Sequence, residues 1–425
     1  MNSVGIKIKE IRTKKKLTQS DLADGIVNRS YISQIEKGQV QPSIKLLKKF
    51  SERLKCDINE FLEDQETPAL VLDVKKALSS LEYAVINGDF STVNEQVIEV
   101  EKFQENLLNN EKALLFFCKG KIQEMLFKNT KNAIQLYEKS CDLYSGANKE
   151  ERLRSTNHLV NLYIEHNEIH KAFEYLDESY NESIYHKLSG TEKIALLINV
   201  GSAHARLGEY YSAIRFLKQA IESSKRTSIF YQTGRAYMVL GLCQRRILNY
   251  EEARKSYEHA VFFFKESEDL LNLAGTYTNL GILNRYDTQI ERSIEYLQKA
   301  HKLYQHLNDD IGYLNTLYEM SVCYSGDEQY GKVKEYFTLF MKKSKERNHS
   351  PQMFKMHVLM ADVYISDGNT EEAISLLEHT LEMTEKVELK QELYERMGKI
   401  YLQRDEKTKA LACWEKYLTV DDERN

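Results

Sequence analysis

At 425 residues the chain is too long for one ordinary domain and suits two or three. Its 42% hydrophobic and 29% charged residues fit a protein with a core and a wet surface, and its formal charge is −5. No apolar run of about 18 residues could span a bilayer, no charged-then-apolar leader opens the chain, and the cysteines form no CxxC pair; these features exclude a membrane-spanning protein and a zinc ribbon, and predict buried thiols in a cytoplasmic protein.

The charge is unevenly placed. Residues 1–62 carry 13 Lys and Arg against 7 Asp and Glu, a surplus of 6, so the remainder carries −11. A basic head on an acidic body is the pattern of a nucleic-acid-binding module joined to one that avoids phosphate. Only three prolines occur, Pro42, Pro68 and Pro351, which permits long uninterrupted helices between the last two.

In chain order, Val4 to Lys15 has apolar residues at Val4, Ile8 and Ile11, predicting a first amphipathic helix. Thr18 is a natural N-cap for a second, with Asp21 as capping partner and Leu22 and Ala23 turned inward. Gly25 supplies a turn. A third helix opens at Asn28 or Arg29, buries Ile32 and Ile35, and closes at Gly38. A fourth follows Pro42 and Ser43 and uses Ile44, Leu47 and Phe50; a short fifth is predicted over Asp57 to Leu62.

The pattern of Thr18-Gln19, Leu22-Ala23, Ser30-Tyr31-Ile32-Ser33, Ile35-Glu36, Gly38 and Pro42-Ser43 resembles the Cro and phage-repressor (XRE) helix-turn-helix family over residues 4–62. That resemblance implies five short helices, the third laid N-terminus first in the major groove of double-stranded DNA. Arg29, Ser30 and Gln34 then face base edges, since Arg reads guanine and Gln adenine in bidentate fashion. Gln19 matches the family's phosphate- or base-contacting glutamine, and Lys37, Gln39 and Lys45 are placed to touch phosphates. Tyr31 either covers the DNA backbone or stacks within the head. Glu36 is expected to pair internally, and Lys14, Lys15 and Lys16 to form a solvated helix end.

Asp64 to Pro68 reads as a polar hinge, giving a head over 1–63, a linker over 64–69 and a body over 70–425. The body repeats on a small-residue frame: Gly201 with Ala213 and Ala220, Gly241 with Ala253 and Ala260, Gly281 with Ser293 and Ala300, copies 40 residues apart. Outward it continues as Ser321 with Val333, Ala361 with Ala373 and Gly398 with Ala410; backward as Val160 with Ala172, Lys121 with Ala133 and Leu81 with Val93. The two small residues of each unit let paired helices cross closely. A large residue four positions on (Leu217, Tyr257, Leu297, Phe337, Leu377 or Trp414) is expected to fill the gap to the next hairpin, and Phe262, Phe263 and Phe264 to pack between repeats. The pattern is similar to the tetratricopeptide repeat with a longer period. The resulting expectation is all-α: a five-helix head, then a right-handed solenoid of about nine hairpins lined inside by the first helix of each.

From the repeat frame, Asn157, Asn161, Asn199, Arg206, Arg235, Arg245, Asn279, Arg285 and Asn315 are predicted to face the groove. Asparagine amides suit the alternating donors and acceptors of an extended peptide, and arginines suit a carboxylate. The histidines have no metal-ligand spacing, no phosphate-binding glycine loop or nucleophile motif stands out, and no cofactor, metal or catalytic residue is expected.

A phage-repressor-like head followed by tetratricopeptide-like hairpins resembles the RNPP family of peptide quorum-sensing receptors. The resemblance implies a cytosolic transcription regulator, not an enzyme, with an operator, a short imported peptide and a second copy of itself as partners, in a homodimer or higher oligomer. An alternative within the family is that the first two hairpins, residues 70–145, bind or dephosphorylate a response regulator, as the Rap-type members do; the two roles are compatible. A third reading is a helix-turn-helix protein of a mobile element that uses its repeats to bind a protein.

Overall fold

The computed structural model describes residues 3–40, 42–56, 61, 68–102, 107–144, 148–344 and 351–419. Among these residues every regular element is helical and no strand forms; the helices number 22. The chain divides into two compact units, Met1–Leu162 and Tyr163–Asn425. The hinge expected at 64–69 falls on undescribed residues as far as 67, and the first body helix begins at Pro68.

The head is built from α1 (Ser3–Lys14), α2 (Gln19–Ala23), α3 (Arg29–Glu36) and α4 (Ile44–Leu54). Each of the last three is opened by a side chain that satisfies a free backbone N–H: Thr18 accepts from Asp21 N in a reciprocal capping box, Asn28 from Tyr31 N, Ser43 from Leu46 N. Gly38 closes α3 with φ +73°, and Gly25 turns at φ +67°. Ile8, Leu22, Ile32, Ile35, Phe50, Leu54 and Phe61 form one buried core. The helix expected over Asp57 to Leu62 lies outside the described residues apart from Phe61. Gly5 is required by packing: a Cβ there would stand 2.0 Å from the Ile35 carbonyl oxygen, so α1 crosses α3 backbone to backbone.

Beyond the head the helices alternate in chain order, an A helix followed by a B helix: α5 (Pro68–Asn87) and α6 (Val93–Glu101), α7 (Asn109–Met125) and α8 (Thr130–Leu143), then α9 (Lys149–Glu165), within which the boundary between the units falls, and α10 (Ile169–Tyr185). Six more follow: α11 (Thr191–Arg206) and α12 (Tyr210–Thr227), α13 (Thr233–Arg246) and α14 (Tyr250–Glu266), α15 (Leu270–Tyr286) and α16 (Ile290–His306). The last are α17 (Asp310–Gly326) and α18 (Tyr330–Ser344), α19 (Pro351–Ser366) and α20 (Thr370–Glu382), α21 (Val387–Gln403) and α22 (Lys407–Thr419). Among the described residues this makes nine such A and B successions, the number the small-residue frame predicts.

The long period comes from the helices, not the loops. α15 and α16 each have 17 residues, and turns of three residues follow each of them. The turns share one device. Gly208, Leu248, Glu268, Thr288, Asn308, Glu328, Gly368 and Asp405 all adopt positive φ at the same point of the turn. The next residue's N–H then reaches back to the last helical turn, as in Asn249 N to Gln244 O at 2.9 Å and Gln289 N to Asn284 O at 2.9 Å. Glycine does this without strain at Gly208 and Gly368; the other side chains tolerate it at a cost.

The frame residues meet inside each hairpin. A Cβ on Gly281 would lie 2.6 Å from Leu297 Cγ and 3.2 Å from the Ser293 carbonyl oxygen, and Ser293 Oγ donates to Gly281 O at 2.7 Å. Leu217, Tyr257 and Trp414 cover Gly201, Gly241 and Gly398 in the same way. These large residues seal their own hairpin and also reach the next one as expected: Tyr257 clusters with Leu280 and Leu283 of the following A helix, and Leu297 with Leu314, Leu317 and Met320. In the second hairpin the small residue is Gly120, against Tyr137 at 2.8 Å, so the frame there starts one residue before Lys121. The phenylalanine run also divides: Phe264 packs on Gly234 within its hairpin, Phe263 stacks on Phe230 and Tyr237, and Phe262 is exposed.

Candidate functional site

In the head, the helix that buries Ile32 and Ile35 leaves Arg29, Ser30, Gln34 and Lys37 in solvent, with Gln39 exposed just after it. Ser30, Gln34 and Lys37 are spaced to share one side of α3. The Asn28 side chain holds the start of this surface: it caps Tyr31 N and accepts from Ser30 Oγ, both at 2.8 Å. Tyr31 is half-buried and packs against the head's core, with part of its surface still exposed. Lys45 lies in α4, but its side chain is outside the described residues.

Three residues, Gln19, Arg12 and Lys15, do structural work that sequence reading assigned elsewhere or missed. Gln19 Nε2 donates to Glu36 Oε2 at 2.8 Å, so one of its two amide N–H groups is engaged within the head, leaving the other N–H and the carbonyl for a further contact. Glu36 pairs internally as expected, and its partner is Arg12, whose Nε and Nη2 reach the two carboxylate oxygens at 2.6 and 3.0 Å. Lys15 is not merely solvated: its ammonium donates to the Lys55 carbonyl at 2.8 Å and to that of Leu54, closing the end of α4.

In the second unit, the A helices from α11 to α19 touch in succession, so their shared face carries residues from several repeats. Arg245 on α13 and Arg285 on α15 occupy equivalent positions 40 residues apart, and both guanidiniums lie over the Tyr286 ring, at 5.9 and 5.6 Å from its centre. Arg285 Nη2 is 3.1 Å from Glu319 Oε2 on α17. Burial pushes the Glu319 carboxyl above its ordinary range, while Arg285, Lys355 and Arg245 pull it down. Arg245 Nε, Arg285 Nη1 and Glu319 Oε2 are buried without a hydrogen-bond partner.

The other predicted residues are placed differently. Burial lowers the basicity of the half-buried Arg235, Glu165 and Tyr231 act against that, and the exposed Arg206 is a like-charged neighbour. Asn279 and Asn315 are half-buried on α15 and α17. Asn199 is only 2% exposed and Asn157 only 6%, and these two and Asn161 already interact within the protein, so they offer a ligand less than their frame positions suggest. Asn157 and Asn161 also belong to the first compact unit, the other seven to the second.

The first unit holds a polar cluster that sequence reasoning missed. Glu124 accepts from the Tyr137 hydroxyl at 2.5 Å and lies 3.3 Å from His158 Nδ1 and 3.7 Å from Lys121 Nζ. Burial raises this carboxyl, but His158, Lys121 and Tyr137 outweigh it and hold Glu124 down at about 2. The Lys121 and Glu124 spacing on α7 was readable, but the His158 contact comes from α9 and was not. Among the described residues no three His, Cys, Asp or Glu gather to hold a metal, and no helix is long and apolar enough to cross a membrane.

The Helix-turn-helix family profile matches residues 8–61, and Tetratricopeptide repeat profiles match residues 192–266 and 357–391. The Transcriptional activator NprA of Geobacillus stearothermophilus is 24% identical over 377 residues, covering 85% of this chain and 77% of that one. Among solved structures, the apo form of the quorum sensor NprR from B. thuringiensis is 16% identical, with a TM-score of 0.61 over 82% of this chain and 98% of that chain. NprR in complex with its cognate peptide NprX is 17% identical, with a TM-score of 0.53 over 83% of this chain and 100% of that chain. These likenesses show the fold. A STAND protein with a tetratricopeptide repeat sensor from Pyrococcus horikoshii reaches a TM-score of 0.51 at 13% identity over 89% of this chain and 57% of that chain, so a helical array alone does not distinguish a function.

Proposed function

We propose that this chain, an RNPP-family protein by its helix-turn-helix head, its tetratricopeptide body and the relatives it matches, is a cytoplasmic DNA-binding transcription regulator gated by a short extended peptide. The observation that carries the DNA half is the capped α3, which buries Ile32 and Ile35 while presenting Arg29, Ser30 and Gln34. The peptide half is supported by the arginines and half-buried asparagines that recur on the A-helix face, and by the fold shared with a receptor solved with its cognate peptide.

The gating follows from geometry. A dimeric helix-turn-helix protein needs half-sites about one turn of DNA apart, roughly 34 Å. A peptide that favours one arrangement of the body in a homo-oligomer resets the spacing of the two heads, and linkage requires the operator to alter peptide affinity by the same factor. Affinity selection of operator fragments from random duplex DNA by the full chain, followed by peptide titration with and without the selected duplex, tests this. Peptide affinities that are equal in the two titrations overturn the coupling.

A second reading, docking of a response-regulator protein on residues 70–145, is supported by exposed Met125, Leu126 and Phe127 at the end of the second hairpin's A helix. Capture of phosphorylated response regulators by the full chain, lost on Phe127→Ala, tests it.

A further inference from the structure

We propose that Arg245 and Arg285 form a carboxylate-reading subsite on the A-helix face, and that Glu319 occupies it in the free protein as an internal substitute. This rests on the peptide reading above and deepens it: the ligand is a short peptide that brings an Asp or Glu side chain, or its own C-terminal carboxylate, to this point.

Three observations lead there. The two arginines come from equivalent positions of successive hairpins, and both guanidiniums lie within 6 Å of the centre of the one Tyr286 ring, at 5.9 and 5.6 Å. Three cations, Arg245, Arg285 and Lys355, act on the single carboxylate of Glu319, and Glu319 approaches only Arg285 closely, at 3.1 Å. Arg245 Nε, Arg285 Nη1 and Glu319 Oε2 are left buried without a hydrogen-bond partner, so Glu319 meets Arg285 as an ion pair and satisfies neither arginine fully. A buried polar group without a partner is costly, and a planar carboxylate is the group that accepts two guanidinium N–H bonds at once.

Glu319 is suited to being displaced. Its carboxyl is pushed up because burial costs more than the neighbouring cations return. An incoming carboxylate would take over Arg285, reach Arg245, and release Glu319 toward Lys355 or water. The subsite then discriminates by charge, because a neutral amide leaves both guanidiniums competing for one internal acid.

The test uses the full chain and pools of peptides of about seven residues, each pool fixed at one position as Asp, Asn or Lys and otherwise random, made both as free acids and as C-terminal amides. Binding is read by fluorescence anisotropy. At one position, or at the free C-terminus, the acidic form should bind about tenfold tighter or more than its neutral counterpart. That preference should vanish in Arg285→Gln and Arg245→Gln, and grow in Glu319→Gln, with thermal melts confirming that each variant is folded. Glu319→Gln guards against misreading a folding defect, because it should gain affinity rather than lose it. Binding with no charge preference, or weaker acidic binding in Glu319→Gln, overturns the subsite and leaves the peptide reading standing. No binding by any pool overturns the peptide reading and the subsite with it.

Discussion

Arg12 Nε lies 2.6 Å from Glu36 Oε1, an ion pair between α1 and α3 whose side chains are 11% and 3% exposed. It anchors the end of α3 to α1, and Gln19 donates to the other oxygen of the same carboxylate. Removing one partner of such a pair strands a buried charge. Glu36→Ala should destabilise the head by about 3–5 kcal/mol and abolish DNA binding, while the melt of the tetratricopeptide body stays in place. Hydrogen exchange read helix by helix checks this: protection should fall in α1 to α4 and persist in α11 to α18.

The exposed residues of α3 should behave in the opposite way. Arg29→Ala and Gln34→Ala should leave the melt unchanged and cost about 1–3 kcal/mol of discrimination at one base pair each. Lys37→Ala should weaken every duplex alike and lower the salt slope by about one unit. Gel shifts on a panel of single-base variants at several salt concentrations separate these effects. Unchanged base preference in both Arg29→Ala and Gln34→Ala would remove the assignment of α3 as reader.

The contrast between those two cases shows what the sequence could reveal. Thr18 with Asp21, Asn28, Ser43 and Gly38 act within three or four residues of the backbone groups they serve, so helix starts and stops were readable directly. The Gly and Ala frame was readable because one packing solution recurs every 40 residues. Arg12 and Glu36 are 24 residues apart, and Arg285 finds Glu319 one hairpin further on; neither pairing has a local signature. The burial of Asn199 and Asn157 was equally invisible, because whether a helix position faces a groove or a neighbour depends on how adjacent hairpins are rotated. Asn249-Tyr250 marked the turn at Leu248, but Thr288 hid its turn because a threonine does not announce positive φ.

That last point gives a pair of substitutions of opposite sign within one hairpin. Thr288 is β-branched and sits at φ +56°, so Thr288→Gly relieves backbone strain and should stabilise the body by about 1 kcal/mol. Gly281→Ala places a Cβ 2.6 Å from Leu297 Cγ and should destabilise it by about 1–3 kcal/mol. Thermal melts of the two variants beside the parent protein decide. A stabilising Gly281→Ala would mean that the hairpin is looser than the glycine contact implies.

His357 should make the body sensitive to mild acid. It is 1% exposed, and its Nδ1 is 2.8 Å from Thr380 Oγ1. The Thr380 hydroxyl donates to the Leu376 carbonyl at 2.6 Å, so its oxygen accepts and the ring carries its hydrogen on Nδ1. A second proton must go on Nε2, which faces the thioether of Met341 at 3.4 Å, a poor acceptor. Burial first, and then the nearby His379, accordingly lower His357 to about 4. The unfolded chain takes up this proton near pH 6.5 and the folded one only near pH 4. Stability from this group is therefore complete above about pH 6.5, and about 3 kcal/mol of it is lost as pH falls to about 4. His357→Gln cannot titrate in this range, so the parent and variant should converge in urea midpoint between pH 7 and pH 4. Parallel pH profiles for the two proteins would show that the imidazole takes up its proton without penalty in the folded body.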